Sequence, residues 1–351
     1  MDMILGILAV SLGGLCAGGG AWPFKLMRKY KFEHWWFIGT LGSLFIVPWV
    51  VTFLGCPDAI GAIKSLPAAP LIKANVLSLA WGVANITCGL CYYRIGVALT
   101  GAVLAGLGVS VGTIMPMVFK GSGLFQGASD IGSAAGLVVV SGVLVMLVGV
   151  ILAAVAGFGR DKILAKSAGS AENAPTRVGK FSTGLMMAAV AGILSAGMAL
   201  SFVYSQGPVV DAVKSRGAGE IPANFAVWAL GLLAGAAINV GYAVYLLTKN
   251  KSWGVFKETW KEAGLAGIIV INSVLGFVLL GTGMRLLGAF GAAVGFGIQQ
   301  AMQMTGTQAV GFVSGEWKGV HGKPRALMYA AVATLIVAGV IMAYGKKLAQ
   351  T

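Results

Sequence analysis

Ionic side chains are scarce in this chain. Asp, Glu, Lys and Arg make up 10% of its 351 residues, against 58% hydrophobic. A soluble domain carries about a quarter of its residues as charge, which keeps its surface wet. The shortage excludes an ordinary water-facing shell and leaves most of the surface to meet something apolar. Histidine is scarcer still, at His34 and His321, and the acids number eleven. Neither a metal-ligand cluster nor a nucleophile–base–orienter set can be assembled from them, so the residues point away from an enzyme and toward no cofactor. Of the four cysteines, Cys88 and Cys91 form a CxxC inside an apolar stretch with no second pair and no nearby His. That context fits packing better than zinc or redox chemistry. The net charge of +14 is not a nucleic-acid signature either: the bases sit in short clusters between apolar runs, and no basic face interleaved with aromatics is present.

What the chain does have is long apolar runs and 54 glycines. About 20 apolar residues cross the hydrocarbon of a bilayer as a helix, and glycine lets such helices approach closely. Runs of that length fall near 3–22, 35–55, 74–93, 97–119 and 134–157, and again near 183–205, 223–247, 264–285, 288–313 and 326–345. The expected fold is therefore all-α, a polytopic membrane protein of ten spans. Met1-Asp2-Met3 puts an acid where a signal peptide has bases, so the first run reads as a retained span.

A polar stretch at 160–182, rich in Ser, Gly and charge, divides the chain into 1–159 and 183–351, five runs on each side. Leu15-Cys16-Ala17-Gly18 and Leu194-Ser195-Ala196-Gly197 lie about equally far into the two parts. They suggest a duplication. A repeat with an odd number of spans re-enters the membrane from the opposite side, which is the inverted-repeat plan of many secondary transporters. Loops after odd-numbered runs hold 17 Lys and Arg, and the opposite side holds 8. The positive-inside rule then puts the 160–182 linker in the cytoplasm and both termini outside.

Several segments in order along the chain resemble the bacterial L-rhamnose–proton symporter family, a branch of the drug/metabolite transporter superfamily. They are Trp22-Pro23-Phe24-Lys25 running on to Trp35-Trp36, Trp81-Gly82-Val83-Ala84-Asn85-Ile86, Gly112-Thr113-Ile114-Met115-Pro116, Gly192 to Met198, Ala237-Ile238-Asn239-Val240-Gly241, and Glu316-Trp317. The resemblance implies a ten-span inverted-repeat carrier in the bacterial inner membrane. It would import a monosaccharide, L-rhamnose or a related deoxy-sugar, together with protons. An exporter or exchanger of metabolites or drugs from the same superfamily is the alternative. Such a carrier ordinarily needs a membrane-embedded acid, and no carboxylate falls within a run here.

Polar side chains at mid-depth are costly in lipid and so mark candidate pathways. Asn85, Asn239 and Asn272 are the clearest, because an amide both donates to and accepts from sugar hydroxyls. The same amides also serve interhelical bonding. Trp81 lies four residues before Asn85, which puts ring and amide on one helical face. Gln299, Gln300 and Gln303 crowd one stretch of the ninth run, either lining a cavity or packing against neighbours. Trp22, Trp35, Trp36 and Trp49 lie near span ends and read as an interfacial belt. For proton coupling the candidates are Glu316, where partial desolvation would raise the pKa, and Glu33 with His34. Each also reads as a solvated or topogenic charge.

Overall fold

The computed structural model describes residues 1–20, 22–95, 97–120, 123–128, 130–167 and 181–348, and among these every regular element is a helix. In chain order they are α1 (Asp2–Gly19), α2 (Phe32–Thr40), α3 (Val47–Gly55), α4 (Ala59–Lys64), α5 (Ala68–Ile95), α6 (Val97–Val118) and α7 (Ala134–Ser167). There follow α8 (Phe181–Ser195), α9 (Gly197–Lys214), α10 (Glu220–Gly231), α11 (Leu233–Lys249), α12 (Trp260–Leu286), α13 (Phe296–Val313) and α14 (Lys323–Leu348). Lipid offers no partner to a free backbone group, so apolar segments close their hydrogen bonds within themselves.

Among the described residues seven stretches are long and apolar enough to cross a membrane: 2–26, 32–55, 68–88, 134–164, 182–214, 260–286 and 323–345. Counting the α10–α11 pair as one bent span makes eight. The chain is thus a multi-pass membrane protein. The remaining runs are the fourth, whose described apolar part is the shorter helix Gly106–Val118, and the glutamine-bearing ninth. Most of the 160–182 linker lies outside the described residues.

Among the described residues three of these spans are interrupted. Between α2 and α3 the chain passes through a π-helical turn, Leu41–Ile46, just before Pro48. The proline has no N–H to give to the preceding turn. Between α8 and α9 the ladder breaks at Ala196. Between α10 and α11 the axis bends by 64° at Leu232.

That last break frees backbone groups inside the protein, and side chains of other helices take them. Asn75 Nδ2 donates to Leu230 O at 2.9 Å, while its Oδ1 accepts from Ala234 N at 2.9 Å. Ser78 Oγ accepts from Gly235 N at 2.7 Å, and Ser201 Oγ donates to Gly231 O at 2.7 Å. A broken helix at membrane depth is tolerated when its orphans are met in this way.

Glycine sets the helix spacing at the crossings. A Cβ on Gly14 or Gly18 would run into the backbone of Gln299 or Gln303 on α13, and one on Gly197 into the carbonyl of Leu77 on α5. Gly18 and Gly197, the matched ends of the two sequence quartets, therefore each back onto a backbone carbonyl of another helix, α13 for the first and α5 for the second. Ser195 packs against Gly108 of α6.

Candidate solute site

α2 puts Trp35, Trp36, Gly39 and Thr40 on one side of a cavity of about 230 Å³, and the π-helical turn adds Ser43 and Leu44. Ala17 and Gly20 close it from α1 and just beyond, Trp81 and Asn85 from α5, and Ile269, Ser273 and Phe277 from α12. Pockets for drug-sized ligands run to roughly 300–1,000 Å³, so this one suits a single small ring. No Asp, Glu, His, Lys or Arg is among these lining residues, which gives a charged solute no counter-ion.

Its polar atoms lean toward accepting. The hydroxyls of Thr40, Ser43 and Ser273 each use their one proton on the carbonyl four residues back, on Trp36, Gly39 and Ile269, at 2.7–2.8 Å. Their lone pairs remain to receive hydroxyl protons. Asn85 supplies an amide beside the Trp81 ring. Its Nδ2 lies 3.4 Å from Asn239 Oδ1, and Asn239 in turn donates to Gly235 O at 2.8 Å. Asn239 is 0% exposed, so it reaches the cavity only through Asn85.

Phe277 begins a chain of aromatic rings leading away from the cavity. Its centroid is 5.2 Å from Trp228, which is 4.6 Å from Phe202, itself 6.2 Å from Phe125. The Trp228 indole N–H also donates to Phe277 O at 3.1 Å. Farther along α12 on that side, Glu220 pairs with both Lys214 and Arg285, and Arg216 reaches Asp58 at 3.0 Å. The Trp35–Trp36 end of the cavity lies at the opposite, basic end of α2.

The comparisons with known proteins fit this geometry. The family model for L-rhamnose-proton symport protein matches residues 1–348. The chain belongs to that family. Members are symporters, not enzymes. Curated relatives include the L-rhamnose-proton symporter of Cronobacter sakazakii (strain ATCC BAA-894), 26% identical over 349 residues that cover 97% of each chain. Those of Yersinia pestis bv. Antiqua (strain Antiqua) and Yersinia pseudotuberculosis serotype O:3 (strain YPIII) are also 26% identical, over 98% of each chain.

Within this symporter-family chain the sequence-derived candidates separate. Trp81 and Asn85 line the cavity together, and Asn239 stands behind them. Asn272 is one step outside: its Nδ2 returns to Ile268 O at 3.1 Å and its Cβ abuts Gly20. Gln299 and Gln303 bond to each other at 3.2 Å where α13 crosses α1; neither they nor Gln300 line this cavity. The Gln299 Oε1 is buried without a partner.

Trp35 and Trp36, read from sequence as an interfacial belt, line the cavity instead, as do Thr40, Ser43, Ser273 and Phe277, which sequence reasoning did not single out. A signal was available. Trp36, Thr40 and Ser43 recur at four and three residues, the spacing of one helical face.

The three acid–base candidates have distinct surroundings. Glu316 is gripped by Lys25 and by Arg160 at 3.0 Å. Burial pushes its carboxyl up, but the two cations outweigh that and hold it below the ordinary carboxylate range. This reverses the upward shift expected from desolvation. Glu33 is 5% exposed and accepts from Asn250 Nδ2 at 2.9 Å, a neutral partner. His34 accepts Lys31 N–H at Nδ1 (3.1 Å), which leaves Nε2–H to donate to Ser252 O at 3.1 Å. Both of its nitrogens are thereby committed.

Sequence reasoning also passed over Glu262. Its carboxylate accepts the backbone N–H groups of Arg28, Lys29 and Tyr30 at 3.0, 3.1 and 2.6 Å, clamping the α1–α2 loop onto the first turn of α12.

Proposed function

We propose that the protein is a secondary transporter that imports a monosaccharide, L-rhamnose or a related deoxy-sugar, by proton symport with alternating access. The cavity carries this reading. Indole faces from Trp35, Trp36 and Trp81 offer apolar planes to the C–H face of a pyranose, while Asn85 and three hydroxyl oxygens meet its hydroxyls. The absence of ions from the lining favours a neutral solute. Asn85 and Trp81 are the contacting residues in this reading, and Asn239 holds Asn85. Asn272, Gln299, Gln300 and Gln303, outside the cavity in this state, join the pathway in this reading as the helices shift.

For the proton, Glu33 is the favoured carrier. It is buried, accepts from Asn250 with Lys31 and His34 close by, and lies two residues before Trp35, so gain or loss of its proton acts at the cavity wall. Glu316, clamped by two cations, suits a latch between the turn after α1, α7 and the α13–α14 turn.

The architecture in this proposal is ten spans in two inverted five-span repeats, 1–159 and 183–351, joined by the 160–182 linker. Helix pairings support it. α1 packs on α12 and α13 as α8 packs on α5 and α6; α6 packs on α7 as α13 does on α14; α7 and α14 pack on each other. Exchanging the two halves leaves that pattern unchanged. The 17-to-8 bias of Lys and Arg places the basic loops in the cytoplasm of a bacterial inner membrane and both termini outside. The cavity then faces inward, sealed outward by the Phe277–Trp228–Phe202 rings.

The deciding experiment is counterflow of radiolabelled L-rhamnose, L-fucose and other monosaccharides in proteoliposomes, with and without an inward proton gradient. Saturable uptake accelerated by the gradient is expected. Absence of exchange with any monosaccharide overturns the assignment, and net uptake that does not respond to the gradient removes the proton.

A further inference from the structure

The turn between α13 and α14 borders a second, open hollow, about 450 Å³, that the transport reading does not use. Phe312, Trp317, Lys318, His321 and Arg325 line it. Gly315, Gly319 and Gly322 in this turn have φ of 81°, 79° and 73°, and a Cβ on any of them would meet open space. Glycine serves the backbone conformation here, not close packing.

Among the described residues the cations of this hollow have no acidic partner. Arg325 spreads its guanidinium over the rings of Phe312 and Tyr329, 5.8 Å from each centroid, and Nε donates to Tyr329 Oη at 3.0 Å. That fixes the group and leaves its terminal amino groups to donate elsewhere. Glu316, the acid nearest in sequence, is taken by Lys25 and Arg160. Among the described residues no carboxylate pairs with Lys318, Lys323 or Arg325.

Beside this charge apolar surface is exposed. Tyr329, under the Arg325 guanidinium, is 53% exposed, Val313, next in sequence to the lining residue Phe312, is 90% exposed, and the candidate span of α14 starts at Lys323. A free anion would account for the cations but not for the bare apolar flank. A lipid accounts for both, with its phosphate among the cations and its chains along the flank. We propose that this hollow binds the phosphate of an anionic phospholipid, with Arg325 and Lys318 as its ligands. Trp317 carries the occupant's effect inward. Its ring stacks on Phe312 at 5.1 Å and lies under the Arg160 guanidinium at 5.5 Å, next to the Glu316 cluster.

The test uses the full chain in detergent, with bound lipid counted by native mass spectrometry and the thermal midpoint followed under titration. The additions are phosphatidylglycerol, phosphatidylcholine or inorganic phosphate. Phosphatidylglycerol is expected to bind and raise the midpoint, and the other two to do neither. The Lys318→Gln/Arg325→Gln double variant should bind phosphatidylglycerol roughly tenfold more weakly or worse, and Lys64→Gln, on the other face, should bind as the parent does. Lys318→Glu covers the case in which the double variant fails to fold, since Lys318 is exposed and its charge reversal leaves the ring stack intact. Undiminished phosphatidylglycerol binding in Lys318→Glu or the double variant overturns the proposal. So does an equal effect of phosphatidylcholine, or an equal shift from inorganic phosphate alone, which would mark a soluble-anion site.

Discussion

Asn85 on α5 and Asn239 on α11 meet amide to amide at 3.4 Å, and only Asn85 also faces the cavity. The contact is long for a hydrogen bond, yet it links helices from the two halves of the chain at the segment following the 64° break. Asn239 is therefore a positioning residue and Asn85 a contacting one. Asn85→Ala should raise the KM for sugar by about five- to tenfold, the worth of a lost hydrogen bond or somewhat more, with a smaller rise for Asn239→Ala. The double variant should resemble Asn85→Ala alone, because residues acting through one another do not add. Initial counterflow rates, normalised to inserted protein, check this; additive losses would separate the two roles.

Glu33→Gln should flatten the pH dependence of net uptake while leaving sugar exchange intact, since glutamine keeps the shape and loses the exchangeable proton. Uptake measured from pH 5.5 to 8 in proteoliposomes decides it. A wild-type profile would remove Glu33 as the carrier.

Glu316→Gln should act on stability instead. The folded carboxyl sits below the ordinary carboxylate range because of Lys25 and Arg160. Its contribution is then fully present above that range and is lost as pH falls through the depressed value. The pair is partly exposed, 41% at Glu316, so solvent screening limits the loss to about 1 kcal/mol or less. The thermal midpoints of variant and parent should differ at pH 7 and converge in acid, with no change in the pH profile of uptake.

Glu262→Gln should destabilise more strongly, by about 2–3 kcal/mol. A buried carboxylate accepting three backbone N–H groups is replaced by an amide with one acceptor oxygen and a donor facing donors. Denaturation in detergent, together with proteolysis at the 25–31 loop, measures it. An unchanged midpoint would show that the clamp does not hold the loop.

Gly18→Val should prevent stable packing of α1 against α13, because no side chain fits between Gly18 and the Gln303 carbonyl. Gly339→Ala is the control, with nothing within 4 Å of its added Cβ. Yield of monodisperse protein in detergent separates them.

Part of the site was legible because helical spacing is rigid. Trp81 and Asn85, four apart on one helix, had to share a face, and they line one cavity. Trp35 and Trp36 were not legible in the same way. Tryptophans at a span end look alike whether they face lipid headgroups or a cavity mouth, and the choice depends on how α2 rotates against α12. The glutamines of α13 show the reverse. Their polarity marked them, but the glycine face of α1 draws them into a helix crossing. Asn75 and Ser78 acquired their roles only when the α10–α11 break was placed beside them.

The sequence by itself determined that the chain lives in a bilayer as helices, since apolar length and the cost of unpaired backbone groups in lipid leave no other solution. It also determined the family. Only the tertiary structure decided which polar side chains look into a cavity, which are used up repairing a broken helix, and which carboxylates are clamped by cations. Those outcomes depend on the rotation and crossing of helices distant in sequence, where glycine contacts and single hydrogen bonds, weak one at a time, act together.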